Sequence, residues 1–406
     1  MNRRDFIAAS AAAAAAGETA PRLAAQGGAP VRSTPLRGNF WGVQYYDANE
    51  RQMVLDVLET GRPFRWYGPG KPPDKVAALE KEFAARMQTK YALAVTSGTA
   101  ALQCAMAAFG IGPGDEVITT PFTFVATTES IVLVGARPVY VDIDPATYNI
   151  DPSAVEKAIT PKTKALLPVH LYGQCAQMDE LLAIAEKHGL AVICDGAQAI
   201  GSKYKGKPIG QLGHAATLSF FPTKNLGAYG DGGMMLTNDD AVAEKARSLR
   251  FHGMSSSYEY RHIGYCSRLD EIQAAILRVK LPYLTAWNEA RRNNAAKYSK
   301  VLTGSPIIPP IELPENYHIY HQYTARCANR EVVQSKLKNA GVASAVYYPS
   351  PLHVQQAYSY LGYKLGDFPE AEKASKEVFS IPVHPNLSDE QVQTVIDALK
   401  VAVESC

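Results

Sequence analysis

The stretch Ala215-Ala216-Thr217-Leu218-Ser219-Phe220-Phe221-Pro222-Thr223-Lys224-Asn225-Leu226-Gly227 places one lysine just beyond an apolar run of β type. Gly230-Asp231-Gly232-Gly233 follows, then a second apolar run, Met234-Met235-Leu236. Lys224 therefore sits in a loop bounded by Pro and Gly between two expected buried strands. Two readings fit such a lysine. In one, its stem lies along the loop and its ammonium reaches water. In the other, burial disfavours the ammonium, lowers its pKa and frees a nucleophilic amine for a Schiff base.

Working outward, short apolar runs alternate with helical patterns. Tyr91–Val95 reads as a strand that runs into Thr96-Ser97-Gly98-Thr99-Ala100-Ala101-Leu102, the opening of an alanine-rich helix. A helix start of this kind offers free N–H groups and a positive dipole end to a phosphate, or it is a plain Ser/Thr cap. Strands are expected at 116–120, 137–143, 165–169 and 190–194, with helices at 76–87, 127–134, 151–159 and 178–188. This order predicts right-handed crossovers and a mainly parallel sheet. In open α/β sheets, ligands bind beyond the carboxyl ends of the strands. Gly98, Phe124, His170, Asp195 and Lys224 all fall at or just after such ends, which points to one site.

From Gly264 a long helical region is expected to reach Leu302, broken near Pro282. Beyond Pro306, strands at 319–327 and 343–348 and helices at 331–339, 371–379 and 389–403 predict a smaller α+β unit. The expected division is 1–26 as an extension, 27–280 as a large α/β domain and 281–406 as a linking helix with a small domain.

Composition narrows the class. With 406 residues, 47% hydrophobic and 20% charged, the chain is long enough for two domains. A formal net charge of +2 gives no reason to expect nucleic acid as a partner. Six scattered cysteines form no CxxC pair and no zinc spacing, so no metal is expected and most are read as reduced core thiols. No run after the first residues is long enough to span a membrane. At the start, Asn2-Arg3-Arg4-Asp5-Phe6-Ile7 and the alanines Ala11 to Ala16 resemble a twin-arginine export signal, or a plain alanine-rich extension. Export to the periplasm is the expectation from the first reading. Arg62 to Gly70 is a loop rich in Arg, aromatic, Pro and Gly residues that fits either a sugar or phosphate contact or simple packing.

Lys224, Asp195 and the Ser97-Gly98-Thr99 turn match the three handles of pyridoxal 5′-phosphate (PLP): aldehyde, ring nitrogen and phosphate. Together with Thr120–Ala126, Asp195-Gly196-Ala197-Gln198-Ala199, Ser219–Asn225 and Tyr348-Pro349-Ser350-Pro351-Leu352-His353, these residues resemble the DegT/DnrJ/StrS-type aminotransferases of PLP fold type I. The resemblance runs from about Phe40 to the C-terminus. It implies that Lys224 is the Schiff-base lysine and Asp195 the partner of the ring nitrogen. It also implies that Gln198 lies near the phenolic oxygen, that Gly98, Thr99 and Ser219 hold the phosphate, and that Phe124 stacks on the ring. His170, Tyr348 and His353 are candidates for the substrate side, and His170 fits a structural role as well.

The implied activity is transfer of an amino group from glutamate or glutamine to a keto-sugar, a nucleotide-linked 3- or 4-keto-sugar being the expectation. A cyclitol or other non-nucleotide keto-sugar is the alternative, and a non-catalytic sensor or scaffold a remote one. A homodimer with the site near its interface is also implied. One departure stands out. Cys266 in Gly264-Tyr265-Cys266-Ser267-Arg268 occupies the position of an asparagine that often reaches the partner's phosphate in the family, and a thiol is a poor substitute donor.

Overall fold

Each short apolar run is followed by a helix that carries the chain back across the sheet, which is the connection parallel strands require. The computed structural model describes residues 47–65 and 74–404. The twin-arginine-like segment and Trp66–Gly70 lie outside the described residues. Helices α1 (Ala48–Glu59) and α2 (Lys75–Met87) precede β1 (Tyr91–Val95) and α3 (Gly98–Ala108). Then come β2 (Glu116–Thr119), α4 (Val125–Leu133), β3 (Arg137–Tyr140), β4 (Thr163–Leu166), α5 (Met178–His188) and β5 (Ala191–Asp195). The Lys224 loop lies between β6 (Ala215–Ser219) and β7 (Gly233–Thr237). Among the described residues these strands form a seven-stranded sheet in the order β1-β7-β6-β5-β4-β2-β3. β7 runs antiparallel to both neighbours, and the remaining pairs are parallel. The expected mainly parallel α/β architecture is therefore present.

β6 and β7 are buried along their whole length, so their side chains fill the two layers on either face of the sheet. On one face Phe83 of α2 meets Phe220 edge to face at 5.4 Å, beside Leu226 and Met234. On the other, Leu102 and Met106 of α3 pack on Ile193 and Met235. The cysteines Cys104, Cys175, Cys194 and Cys327 are buried, and Cys266 is exposed.

After β7 come α6 (Asp240–Leu249), α7 (Glu271–Lys280) and α8 (Leu284–Leu302), the last two joined by a 3-10 turn at Leu281–Tyr283 around Pro282. The helical region thus starts at Glu271, not Gly264. Residues 264–270 are extended because Tyr265 and Ser267 donate backbone bonds to the carbonyls of Leu249 and Arg250. Glu271 begins the helix and its carboxylate accepts from the amides of Lys75 and Val76, capping α2.

A further apolar cluster joins Tyr298 and Leu302 of α8 to β8 (Tyr323–Arg326), α9 (Arg330–Asn339), β9 (Val378–Ile381) and α11 (Asp389–Val403), with α10 (Pro369–Glu377) directly before β9. Two expectations shift here. The helix expected at 371–379 begins at Pro369, where a proline at the first turn is favoured. It ends at Glu377, because Val378-Phe379-Ser380-Ile381 pairs antiparallel with Tyr323–Arg326. The strand expected at 343–348 is reduced to one reciprocal bridge between Ala345 and Ser380.

Candidate active site

The end of β5 delivers Asp195 into a buried position. One of its carboxylate oxygens accepts from the Thr127 hydroxyl at 2.7 Å and the other from the Ala197 amide at 3.1 Å. Burial pushes its pKa up, and these two bonds and the Lys224 ammonium push it back down. Thr127 sits one helical turn after Phe124, on α4, and was not singled out in the sequence. Its hydroxyl also lies 3.0 Å from that of Thr123.

Lys224 is carried by a loop tied off at both ends. Phe220 donates to the carbonyl of Gly232 at 2.8 Å, and Ala228 donates to the carbonyl of Phe220 at 2.7 Å. A Cβ at Gly227 would lie 2.6 Å from the Pro222 carbonyl oxygen, so the loop closes only with glycine there. Burial lowers the Lys224 pKa to about 8, against a smaller upward pull from Asp195. That direction favours an amine freed for chemistry over an ammonium that reaches water.

The start of α3 lies against the end of β6. A Cβ at Gly98 would come 2.8 Å from Cβ of Ser219, so glycine lets the two elements touch. Ser97 caps the helix by accepting from the Ala100 amide at 3.1 Å. Gly98 and Thr99 open the first turn, whose amides have no partner within the helix. Ser219 is buried beside them, and its hydroxyl accepts from the Phe221 amide at 3.3 Å.

Gln198 is buried and locked by two bonds. Its carbonyl oxygen accepts from the Tyr172 amide at 2.8 Å, and its NH2 donates to the Tyr348 hydroxyl at 2.9 Å. That amide nitrogen retains a second donor. The Tyr172 hydroxyl in turn bonds the Tyr347 carbonyl. Phe124 is 56% exposed, with its ring 6.4 Å from that of Tyr348. Tyr172 was not anticipated; lying at 172, it shows no period or motif that sets it apart from a core tyrosine.

The histidines differ. His170 is buried; its backbone amide donates to the carbonyl of Asp195, and its Nδ1 accepts from the Ala176 amide. Burial lowers its pKa to about 3, so it is neutral. His353 is also buried, 3.1 Å from a carboxylate oxygen of Glu372 and edge-on to Phe368. Cys266 accepts from Arg268 at 3.2 Å, and the Ser267 hydroxyl lies 3.3 Å from that of Thr96, inside its own chain.

These residues fit PLP. A carboxylate kept buried suits a protonated ring nitrogen, a lysine of lowered pKa suits an aldehyde, and a helix start pressed onto a serine suits a phosphate. Residues 44–400 match the DegT/DnrJ/EryC1/StrS aminotransferase family. The chain belongs to that family. It is 55% identical over 329 residues to a pleiotropic regulatory protein of Geobacillus stearothermophilus, covering 80% of this chain and 88% of the relative. It is 47% identical over 353 residues to UDP-2-acetamido-2-deoxy-3-oxo-D-glucuronate aminotransferase of Pseudomonas aeruginosa, covering 86% and 97%. The solved structure of DesV from S. venezuelae superposes with a TM-score of 0.84 at 41% identity, covering 88% of this chain and 95% of that one. Other solved relatives are in PLP and PMP forms. The protein is a PLP-dependent sugar aminotransferase by family, and among its described residues no helix is long and apolar enough to cross a membrane.

Proposed function

We propose that the protein transfers an amino group from glutamate or glutamine to carbon 3 of a nucleotide-linked keto-sugar. The observation that carries this is the intact pair of a buried, hydrogen-bonded Asp195 and a lysine of lowered pKa at adjacent strand ends. The choice of carbon 3 follows the name of the Pseudomonas relative. When bound, PLP supplies the aldehyde that takes up the amine and the ring that spreads the developing electron pair. Asp195 would hold a proton at the ring nitrogen. Lys224 would hold the aldehyde at rest and, once displaced, move a proton between the substrate carbon and the cofactor. Gly98, Thr99 and Ser219 would take the phosphate, and the free donor of Gln198 the phenolic oxygen. The test is an absorbance spectrum of the holoenzyme before and after glutamate, followed by UDP- and dTDP-linked 3-keto-sugars as acceptors. A glutamate response without turnover of any such sugar removes the acceptor.

Two other readings have an observation behind them. The Geobacillus relative carries a regulatory name, which favours a sensor; a bound cofactor that ignores every amino donor would support it. The twin-arginine-like Arg3-Arg4 stretch favours export and hence a non-nucleotide keto-sugar or cyclitol. Finding only full-length protein in the cytoplasm argues against it. A homodimer completes the proposal. The exposed rings of Phe124, Phe221 and Tyr229 near the site, and of Tyr258 and Tyr260 on a hairpin, support it. Light scattering that finds an active monomer removes it.

A further inference from the structure

A second polar site lies behind the Lys224 loop. Arg291, on α8, is 1% exposed. One of its terminal nitrogens donates to the carbonyls of Tyr320 and His321, at 3.3 and 3.1 Å. Its other terminal nitrogen and its Nε are buried and have no partner. Arg291 lines a small cavity together with His321, Gln322, Tyr347, Ser380 and His384. The cavity volume is about 10 Å³, room for a single small group.

We propose that this cavity is a binding site for one small anionic group, a halide or a carboxylate. The lining carries no Asp or Glu. Burial lowers the guanidinium pKa only to about 9, so the charge persists at neutral pH. A buried cation with no carboxylate partner is costly, and an anion offsets that cost more fully than a neutral water molecule does. Two adjacent N–H donors on a planar fork match a carboxylate edge or a spherical anion. The neighbouring histidines add no competing charge: burial and Arg291 hold His384 down to about 4, and His321 is lowered further by burial, Lys224 and Arg291. Gln322 has an unpartnered amide oxygen, and a turn of the amide about its own axis presents its NH2 to the anion instead.

The site adjoins the chemistry. His321 Nδ1 lies 3.0 Å from the side-chain oxygen of Asn225, the residue after Lys224. Tyr347 precedes Tyr348, which holds Gln198. Two sources of the anion are thus distinguished by experiment: free halide, or one carboxylate end of the amino donor. The second source rests on the proposed use of glutamate.

The test is a bromide soak of crystals of the holoenzyme, with the anion located by anomalous scattering. A bromide peak against the unpartnered nitrogens of Arg291 is expected, and its absence overturns the proposal. Melting temperature at fixed ionic strength, with chloride exchanged for methanesulfonate, which is neither a halide nor a carboxylate, gives a second reading. Wild type is expected to gain about 2 °C or more in chloride, and R291M to gain nothing. Equal gains in both overturn the site. Should R291M fail to fold, the bromide map of the wild type still decides. Loss of the bromide peak on adding glutamate assigns the anion to the donor, and retention assigns it to free halide. The bromide arm reads out even if the chain transaminates nothing.

Discussion

Replacing Thr127 with valine keeps the buried volume and deletes one donor to Asp195. In wild type the carboxylate has two bonds, 2.7 Å from the Thr127 hydroxyl and 3.1 Å from the Ala197 amide. Since the Thr127 proton points to Asp195, the hydroxyl of Thr123 at 3.0 Å must donate to Thr127. A hydrogen bond to a charged acceptor is worth about 1.5–3 kcal/mol. Its loss raises the Asp195 pKa. The direction adds to the rise that burial already causes. A carboxyl with a raised folded pKa loses its charge at higher pH, so the acid limb of kcat/KM moves upward. At a fixed pH on that limb, or wherever the carboxylate's grip on a ring proton limits the rate, turnover falls on the order of 10–100-fold. The assay is the pH profile of the glutamate half-reaction for wild type, T127V, T127S and T123V. T127S keeps the hydroxyl and should restore the profile, and T123V should give a smaller effect. A folded T127V within about twofold of wild type, with an unmoved acid limb, refutes the argument.

Other predictions follow from the same site. K224A should bind PLP without turnover in steady-state assays, because Lys224 is the cation that acts on Asp195. In cofactor-free protein, amine labelling of Lys224 should titrate near the value of about 8, and D195N should titrate lower, since Asp195 pulls that pKa upward. The unfolded lysine keeps its proton to its ordinary 10.5, so stability should rise with pH from about 8 to 10.5, and K224M should lose that slope in denaturant titrations. Y348F removes the acceptor for Gln198 and should cost about 1 kcal/mol, a several-fold fall in kcat/KM with the fold intact. H353A breaks the buried contact with Glu372 and should lower the melting temperature while leaving kcat unchanged.

Much of the sheet was readable because its strands are short apolar runs bounded by turn residues, and length and flanking Gly and Pro separate them from the longer amphipathic helices. Met178–His188 and Asp389–Val403 match their expected limits because each carries an amphipathic pattern with acidic residues in its first turn. The errors share one cause. Residues 264–270 look helical by composition, and only their backbone bonds to Leu249 and Arg250, far back in the chain, hold them extended. Val378–Ile381 prolongs a helical pattern until β8 offers it a partner. The site divides in the same way. Asp195, Lys224 and Gly98 were legible because each stands at the end of an apolar run. Thr127 and Tyr172 were not, because a threonine on a helix and a buried tyrosine are ordinary until their partners are known.

Cys266 shows how a departure from a family motif is absorbed. Two neighbours of Cys266 in this stretch carry side-chain donors, Ser267 and Arg268. Ser267 is buried, and its hydroxyl faces that of Thr96, one residue before the cap of α3. Its bonding capacity is therefore directed at its own chain's expected phosphate turn, not outward. Arg268 is the residue that stays beside the thiol, with its guanidinium donating to the sulfur and stacked over Phe251. The 264–270 segment thus reaches Thr96 from within its own chain and brings the Arg268 guanidinium beside Cys266. A guanidinium brings full charge to a phosphate, whereas an amide brings a neutral donor. The substitution therefore shifts the outer face of this loop from a neutral contact to a charged one, and any contact it makes with phosphate should weaken as salt rises.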